Sequence, residues 1–142
     1  MKLRKLKIED MQLVLGMNET FREGFITLEG AAAFLSEEKN WLFAAVEEDK
    51  IIAFAYGYAM QRLDGRGMIY IHEVAVAENC QRRGVGTQLM EALKAACGEK
   101  GIQKMFLITD QANRGANALY TKVGGELGID SGGNDRMYWF RT

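Results

Sequence analysis

The chain has 142 residues, 48% hydrophobic and 26% charged, with a formal net charge of −1. It is long enough to form one core-bearing domain over residues 1–142 without staples, and its charge offers no bulk attraction to nucleic acid or an anionic membrane. Cys80 and Cys97 are too few for a disulfide framework, no metal ligand set is expected, and no apolar run approaches the ~20 residues of a membrane span.

Residues 2–7 read as a short first strand, and 10–17 as a helix with Met11, Val14 and Leu15 on one face. An irregular stretch, 19–28, carries Phe21, Phe25 and Ile26, and a second helix is expected near 29–35. Residues 41–46 and 51–59 are strands joined by the polar turn 47–50, a hairpin. After the turn 64–67, residues 69–76 read as a buried central strand. Residues 85–97 form a helix with Val85, Leu89, Leu93 and Ala96 on one stripe. Residues 104–109 are another buried strand, so 69–109 is a strand–helix–strand crossover, expected to be parallel. A helix over 113–123 turns Ala116, Leu119, Tyr120 and Val123 to one face and stops at Gly124-Gly125. After the glycine-rich turn 131–134, residues 137–140 close the chain as a strand. With no proline, the turns rest on Gly, Asn and Asp.

The segment Gln81-Arg82-Arg83-Gly84-Val85-Gly86-Thr87 lies between the central strand and a helix start. Free backbone N–H groups and the positive end of the helix dipole make such a loop an anion site suited to phosphate. Two glycines would let a diphosphate approach the backbone, and two arginines add charge. A P-loop would need Gly-Lys-Ser/Thr, which is absent, and a dinucleotide fingerprint would need glycine where Leu89 stands. A glycine-rich turn that merely caps a helix would need neither arginine. Cys80, beside the loop, is a bystander or a reactive thiol; Cys97 fits its helix's apolar face.

The pattern Gln-x-x-Gly-x-Gly after a strand ending Val74-Ala75-Val76 resembles the coenzyme A loop of the GNAT N-acetyltransferases. The order of elements resembles that fold over nearly the whole chain, most specifically over 69–124. The resemblance implies a mixed α/β fold: a mostly antiparallel sheet of six to seven strands with four helices, its central strands splayed at the coenzyme A site. It implies acetyl-coenzyme A as cosubstrate, a small-molecule amine as partner, and a cytoplasmic location. The opening Met1-Lys2-Leu3-Arg4-Lys5 does not read as a secretory signal. Dimers are common in the family, and the apolar last strands permit a homodimer.

Acetyl transfer to an amine needs a base for the ammonium, a donor to the carbonyl oxygen and a donor to the leaving thiolate. Glu73, in the middle of the central strand, is the candidate base, because an acid there is costly to bury without a purpose or partner. A salt-bridged or edge-facing glutamate is the plainer alternative. His72, the single histidine, is the rival base; in a regular strand it points opposite to Glu73, so one of the two would face the site. The family pattern Asn-x-x-Ala-x-x-Leu-Tyr reads here as Asn113, Ala116, Leu119 and Tyr120, and implies that Tyr120 meets the coenzyme's sulfur. A phenol, pKa about 10, is a weaker acid than a thiol, about 8.5, so its role is a hydrogen bond to the thiolate. The resemblance assigns the pantetheine contacts to the backbone of Val74, Ala75 and Val76 and to Asn113, and the phosphates to Gln81 through Thr87; Lys122 is a candidate phosphate contact or a solvated lysine.

Residues 69–76, 82–84 and 118–122, and more faintly 21–23, look most like the small aminoglycoside 3-N-acetyltransferases. Those enzymes carry aspartate where this chain has Glu73, and this chain adds the strand 137–140. A polycationic sugar needs an acidic cleft, for which Glu19, Glu23, Asp64, Glu73, Asp110 and Asp135 are candidates. Other acceptors are small polyamines, other small amines, and a protein N-terminus or lysine. A non-catalytic acyl-coenzyme A-binding module is the alternative to an enzyme.

Overall fold

Residues 42–46 and 51–55 are apolar at consecutive positions rather than alternate ones, the pattern of strands covered on both faces. In the computed structural model, which describes residues 1–21, 25–128 and 133–142, these runs are the buried parts of two antiparallel neighbours. They are β2 (Asn40–Glu47) and β3 (Lys50–Gln61). Alanines 44, 45, 53 and 55 are fully buried between the layers. Their small side chains let helices approach the sheet from either side.

The other elements are β1 (Lys2–Lys5), α1 (Met11–Thr20), α2 (Leu28–Ser36), β4 (Gly67–Val76), α3 (Val85–Glu99), β5 (Ile102–Asp110), α4 (Arg114–Lys122), β6 (Glu126–Leu127) and β7 (Asp135–Arg141). The seven strands form one sheet, β1-β2-β3-β4-β5-β7-β6, in which β4 and β5 are parallel and all other neighbours antiparallel. This is the mixed sheet with four helices that the sequence predicts. β6, a two-residue strand, is not foreseen, and α3 runs past residue 97 through Gly98. The expected contributions of Arg22, Glu23, Ser131 and Gly132 lie outside the described residues. No helix among the described residues is long and apolar enough to cross a membrane.

Each face of the sheet has its own core. Val85, Leu89, Met90, Leu93 and Cys97 of α3 recur at helical spacing and pack with Tyr120 of α4, Ile69, Ile71, Met105, Leu107 and Phe140. Each such large apolar side chain contributes about 1.5–3 kcal/mol by leaving water. On the other face, Val14 and Met17 of α1 and Ala31 of α2 cover Leu42, Ala44 and Phe54.

Two irregularities of β4 position the site. Its parallel pairing with β5 stops at Ile71↔Leu107, although both strands continue. The expected splay is therefore present, and residues 72–76 have no ladder partner on the β5 side. On the β3 side the register passes from Tyr56↔Glu73 to Gly57↔Ile71, leaving His72 as the extra residue of a bulge. Any side chain at position 57 would collide with the carbonyl of Tyr70. Ile69, Ile71, Val74 and Val76 meet the α3 core, whereas Ala75 meets the α1–α2 core. His72 lies against Tyr56, with ring centroids 5.4 Å apart, and Glu73 lines a cavity under α1 and α2. The bulge thus corrects the alternation argument: His72 and Glu73 share a face.

Candidate active site

Gly84 is the N-cap of α3, in the left-handed region with φ 76°, and a glycine offers no capping side chain. The amides of Val85, Gly86 and Thr87 belong to the helix's first turn and precede any intrahelical partner. Arg82 also has positive φ, 65°. Gln81 closes the loop from below: its amide donates to the carbonyl of Val76 at 3.2 Å. The loop is therefore anchored to the end of the splayed strand. A Cβ at Gly84 would meet nothing within 4 Å, so the position is open.

Gly86 has a different reason from the one expected. Its missing side chain faces inward, where a Cβ would lie 3.3 Å from Leu119 Cδ2 and 3.5 Å from Val76 Cγ2. Gly86 lets α3, α4 and β4 close on one another; it does not clear space for phosphate. Arg83, half exposed, is engaged within the chain. Its guanidinium donates to Glu47 Oε1 at 3.3 Å and lies 3.6 Å from Cys80 Sγ. Its pairing with Glu47 raises its pKa. Arg82 is the exposed cation of the loop without a recorded ion pair among the described residues. Cys80 is buried, which removes the reactive-thiol reading, and burial pushes the Cys97 thiol up to about 12.

α4 begins where Asn113 Oδ1 accepts from the amide of Ala116 at 3.1 Å, an N-cap. This bond accounts for the spacing of Asn113 and Ala116 by itself. Asn117, which sequence reasoning passed over, holds the turn before the helix. Its amide donates to the carbonyls of Asp110 and Asn113, and its Oδ1 accepts from the Tyr138 hydroxyl at 2.7 Å. Tyr120 is 6% exposed, with ring centroids 5.6 Å from Tyr138 and 6.3 Å from Phe140. Burial, with a smaller contribution from Tyr138, pushes its hydroxyl up to about 12. Lys122 is exposed in the last turn of α4.

On the opposite face of β4 lies a cavity of about 470 Å³. Val14, Met17, Asn18 and Phe21 come from the α1 side, Gly30, Ala31, Phe34 and Leu35 from α2, and Leu42, Phe54, Tyr56, Tyr58 and Glu73 from the sheet. Phe25, Ile26 and Thr27 complete it. Aromatic rings form a chain along its wall: Phe34 lies 5.8 Å from Tyr56 and 6.1 Å from Tyr58 between centroids. A signal for this wall was present, since Phe54, Tyr56 and Tyr58 alternate along β3, but nothing in the sequence says which face α2 covers. Of the expected acidic cleft, Glu73 alone among the described candidates lines the cavity. Glu19 lies in a different depression beside the β2–β3 turn, Asp64 binds Arg66 at 2.6 Å, and Asp110 Oδ1 accepts from the amide of Ala112. Asp135 opens β7.

An uncapped helix N-terminus thus stands beside a strand edge without its neighbour, and a carboxylate-bearing cavity stands behind that strand. The model of the Acetyltransferase (GNAT) family matches residues 8–125, and the chain belongs to this family. It is an acyltransferase that moves an acetyl group to nitrogen, and the family's acetyl donor is acetyl-coenzyme A. The chain is 28% identical over 134 residues to the uncharacterized N-acetyltransferase YhfO of Bacillus subtilis (strain 168), covering 89% of this chain and 90% of that one. It is 34% identical over 88 residues to the D-amino-acid N-acetyltransferase HPA3 of Saccharomyces cerevisiae, 60% of this chain and 55% of that one. Its fold is similar to that of the aminoglycoside acetyltransferase meta-AAC0020, from an uncultured soil metagenomic sample, in complex with sisomicin. The TM-score is 0.78, with 23% identity and 91% of each chain covered.

Proposed function

We propose that this protein transfers the acetyl group of acetyl-coenzyme A directly to a small primary amine, with Glu73 as base and Tyr120 as donor to the leaving sulfur. The observation that carries this reading is the end of β4–β5 pairing at Ile71↔Leu107, beside the uncapped start of α3 at Gly84. The free edge of Val74, Ala75 and Val76 suits a pantetheine arm, which would pair there as an added strand does, and one of these amides would polarise the acetyl carbonyl. The amides of Val85, Gly86 and Thr87, with Arg82 beside them, suit the pyrophosphate. Asn113 and Ala116, by capping α4, hold Tyr120 in its place.

When bound, acetyl-coenzyme A supplies an activated thioester carbonyl and a thiolate leaving group. Glu73 would take the ammonium proton, directly or through water, freeing the nitrogen's lone pair to form the N–C bond to the acetyl carbon; the second nitrogen proton, lost as the amide forms, would pass to water or to the departing sulfur. The electron pair of the broken C–S bond leaves on sulfur. The Tyr120 hydroxyl, at about 12, is a far weaker acid than a thiol at about 8.5, so Tyr120 stabilises the thiolate by donating a hydrogen bond and keeps its proton. His72 shares the Glu73 face, and its Nδ1 lies 3.1 Å from the Tyr70 hydroxyl. His72 is exposed and does not line the cavity, whereas Glu73 does, which favours Glu73 as the base.

The acceptor expectation of an aminoglycoside or small polyamine draws on the motifs over 69–76, 82–84 and 118–122, to which the sisomicin-bound neighbour adds a likeness of fold alone. The yeast relative's D-amino-acid activity favours a second reading, a small amino acid as acceptor. The exposed Leu127 on the edge strand β6 is compatible with a homodimer. Calorimetric titration with acetyl-coenzyme A, NAD and ATP tests the central proposal. Binding of acetyl-coenzyme A alone is expected, and equal or exclusive binding of either nucleotide refutes it.

A further inference from the structure

Two cross-strand rows run along the sheet face that carries the Glu73 cavity. Tyr58, Tyr70, Phe106 and Trp139 are in register across β3, β4, β5 and β7, and Met60, Met68, Lys104 and Arg141 form the next row. The intervening Ile69, Met105 and Phe140 point to the α3 core, so alternation turns both rows to the cavity side. Tyr58 also lines the cavity, which makes row and cavity continuous. The rings touch in sequence, with centroids 5.2 Å apart for Tyr70 and Phe106 and 5.0 Å for Phe106 and Trp139. The core under α1 and α2 contains no described residue of β5 or β7, so those helices leave the outer half of the rows open.

The second row ends in a depression of about 470 Å³ at the β7 edge, where Lys104, Trp139 and Arg141 meet Lys94 and Glu126. β6 runs away from this corner, from Glu126 opposite Trp139 toward Gly128, whose amide donates to the Met137 carbonyl. Lys94 donates to the carbonyl of Val123 at 2.7 Å and lies 3.9 Å from Glu91. Lys104 Nζ lies 4.5 Å from the centroid of the Trp139 ring. Lys104 and Arg141 are exposed, and neither has a recorded ion pair among the described residues. Set against Glu126, these two leave one positive charge, which suits a monoanion.

Strands lie about 4.8 Å apart and rise about 3.3 Å per residue. From Glu73, opposite Tyr56, the path to the Lys104–Arg141 row runs down β3 from Tyr56 to Met60 and one or two strands across. That is roughly 14–16 Å between backbones. An extended peptide spans about 3.3–3.6 Å per residue, so about four residues hold an amine that far from a carboxylate. Rings and methionines between the two ends favour an apolar body. The two rows cover roughly 14 by 7 Å of backbone, the footprint of a small ligand; a stable protein interface takes about 800 Å² per partner. We propose that Lys104 and Arg141 form a carboxylate subsite, and that the acceptor is a short apolar peptide of about four residues. Its N-terminal amine reaches Glu73 while its free C-terminal carboxylate docks at the β7 edge. The inference rests on the acetyltransferase reading and adds a far end to its acceptor.

The test compares the tetrapeptide Ala-Leu-Phe-Ala with its C-terminal carboxamide as acceptors, read by free-thiol release with the acetylated product verified by mass. The free acid should be favoured by about fivefold in kcat/KM, through KM, since two exposed cations act on one carboxylate. The dipeptide Ala-Leu is too short to span the distance, and its acid and carboxamide should differ by less than about two-fold. The double variant Lys104→Gln with Arg141→Gln should bring the tetrapeptide ratio below about two-fold as well. Equal use of acid and carboxamide, an equal preference in the dipeptide, or a ratio that the double variant leaves unchanged overturns the inference and leaves acetyl transfer standing. Acetyl-coenzyme A raising the melting temperature, with neither tetrapeptide acetylated, also overturns the inference alone. Absence of any coenzyme-induced shift overturns the reading beneath it as well. Sedimentation adds a further check: a dimer that dissociates in the double variant would give this surface to a second copy and overturn the subsite.

Discussion

On the α3 side of β4, the surface offered to a ligand is largely main chain: first-turn amides of a helix, a strand edge without its neighbour, and a left-handed glycine. On the α1–α2 side it is side chain: rings of α2, β3 and the segment between the helices, beside the carboxylate of Glu73. Backbone groups recognise what every acyl-coenzyme A has in common, its phosphates and its amide-bearing arm. Side chains recognise what differs between acceptors. The strand between the two sides belongs to both, and the bulge at His72 turns Glu73 toward the cavity while Val74 and Val76 face the α3 core.

The sharpest way to break this division is to damage one side and read both. Gly84→Glu should weaken acetyl-coenzyme A binding by about 10²-fold or more, because a carboxylate would stand at the anion site. The left-handed backbone adds roughly 1–2 kcal/mol of instability for any L side chain. Calorimetry on the folded variant separates the two effects, with Gly84→Ala as the strain-only control. Unchanged coenzyme affinity in Gly84→Glu would remove the loop from the site.

Glu73→Gln should do the opposite: turnover falls by about 10² or more at neutral pH while coenzyme affinity holds. Full activity in that variant would exclude Glu73 as the base. Tyr120→Phe should lower kcat about tenfold with coenzyme affinity kept, the loss of one donor to developing charge. Equal turnover would leave Tyr120 as packing only.

The α3 side also carries a pH signature. Tyr120 and Cys97 titrate near 12 in the folded chain because burial disfavours their anions. Unfolded, they lose protons near 10 and 8.5. Between those values and 12 the folded state holds more protons than the unfolded one, so stability is full below about pH 8 and falls as pH rises toward 12. For Tyr120 the loss reaches roughly 2–3 kcal/mol, and urea titrations of Tyr120→Phe should show a shallower decline over pH 10–12. The smallest effect separates the two loop arginines. Arg82→Ala should weaken coenzyme binding about three-fold, whereas Arg83→Ala, whose guanidinium is held by Glu47, should change it less than about two-fold. Equal losses would mean that Arg83 leaves Glu47 when the coenzyme arrives.

How much was legible follows the same division. The loop over 81–87 and the Asn113-to-Tyr120 pattern could be read because helix starts impose local rules on glycine, asparagine and spacing. Six of the seven strands, the β2–β3 hairpin and the parallel β4–β5 crossover followed from apolar runs and turn residues; β6 was unforeseen, since two residues carry no periodicity, and so was the insertion of β7 between β5 and β6. Gly86 was misread because a glycine's local pattern does not tell an approaching ligand from an approaching helix. The bulge was invisible because alternation is assumed until a partner strand breaks it.

The amino-acid order by itself determined the helix and strand succession and the glycine-bearing turn ahead of α3, which depend on near neighbours along the chain, and its likeness to the GNAT family implied the reaction class. Only the tertiary structure decided that Glu73 and His72 share a face, that Arg83 lies on Glu47, and that Glu73 lines an aromatic-walled cavity. Those facts depend on residues far apart in sequence, brought together by pairing and packing that no local pattern encodes.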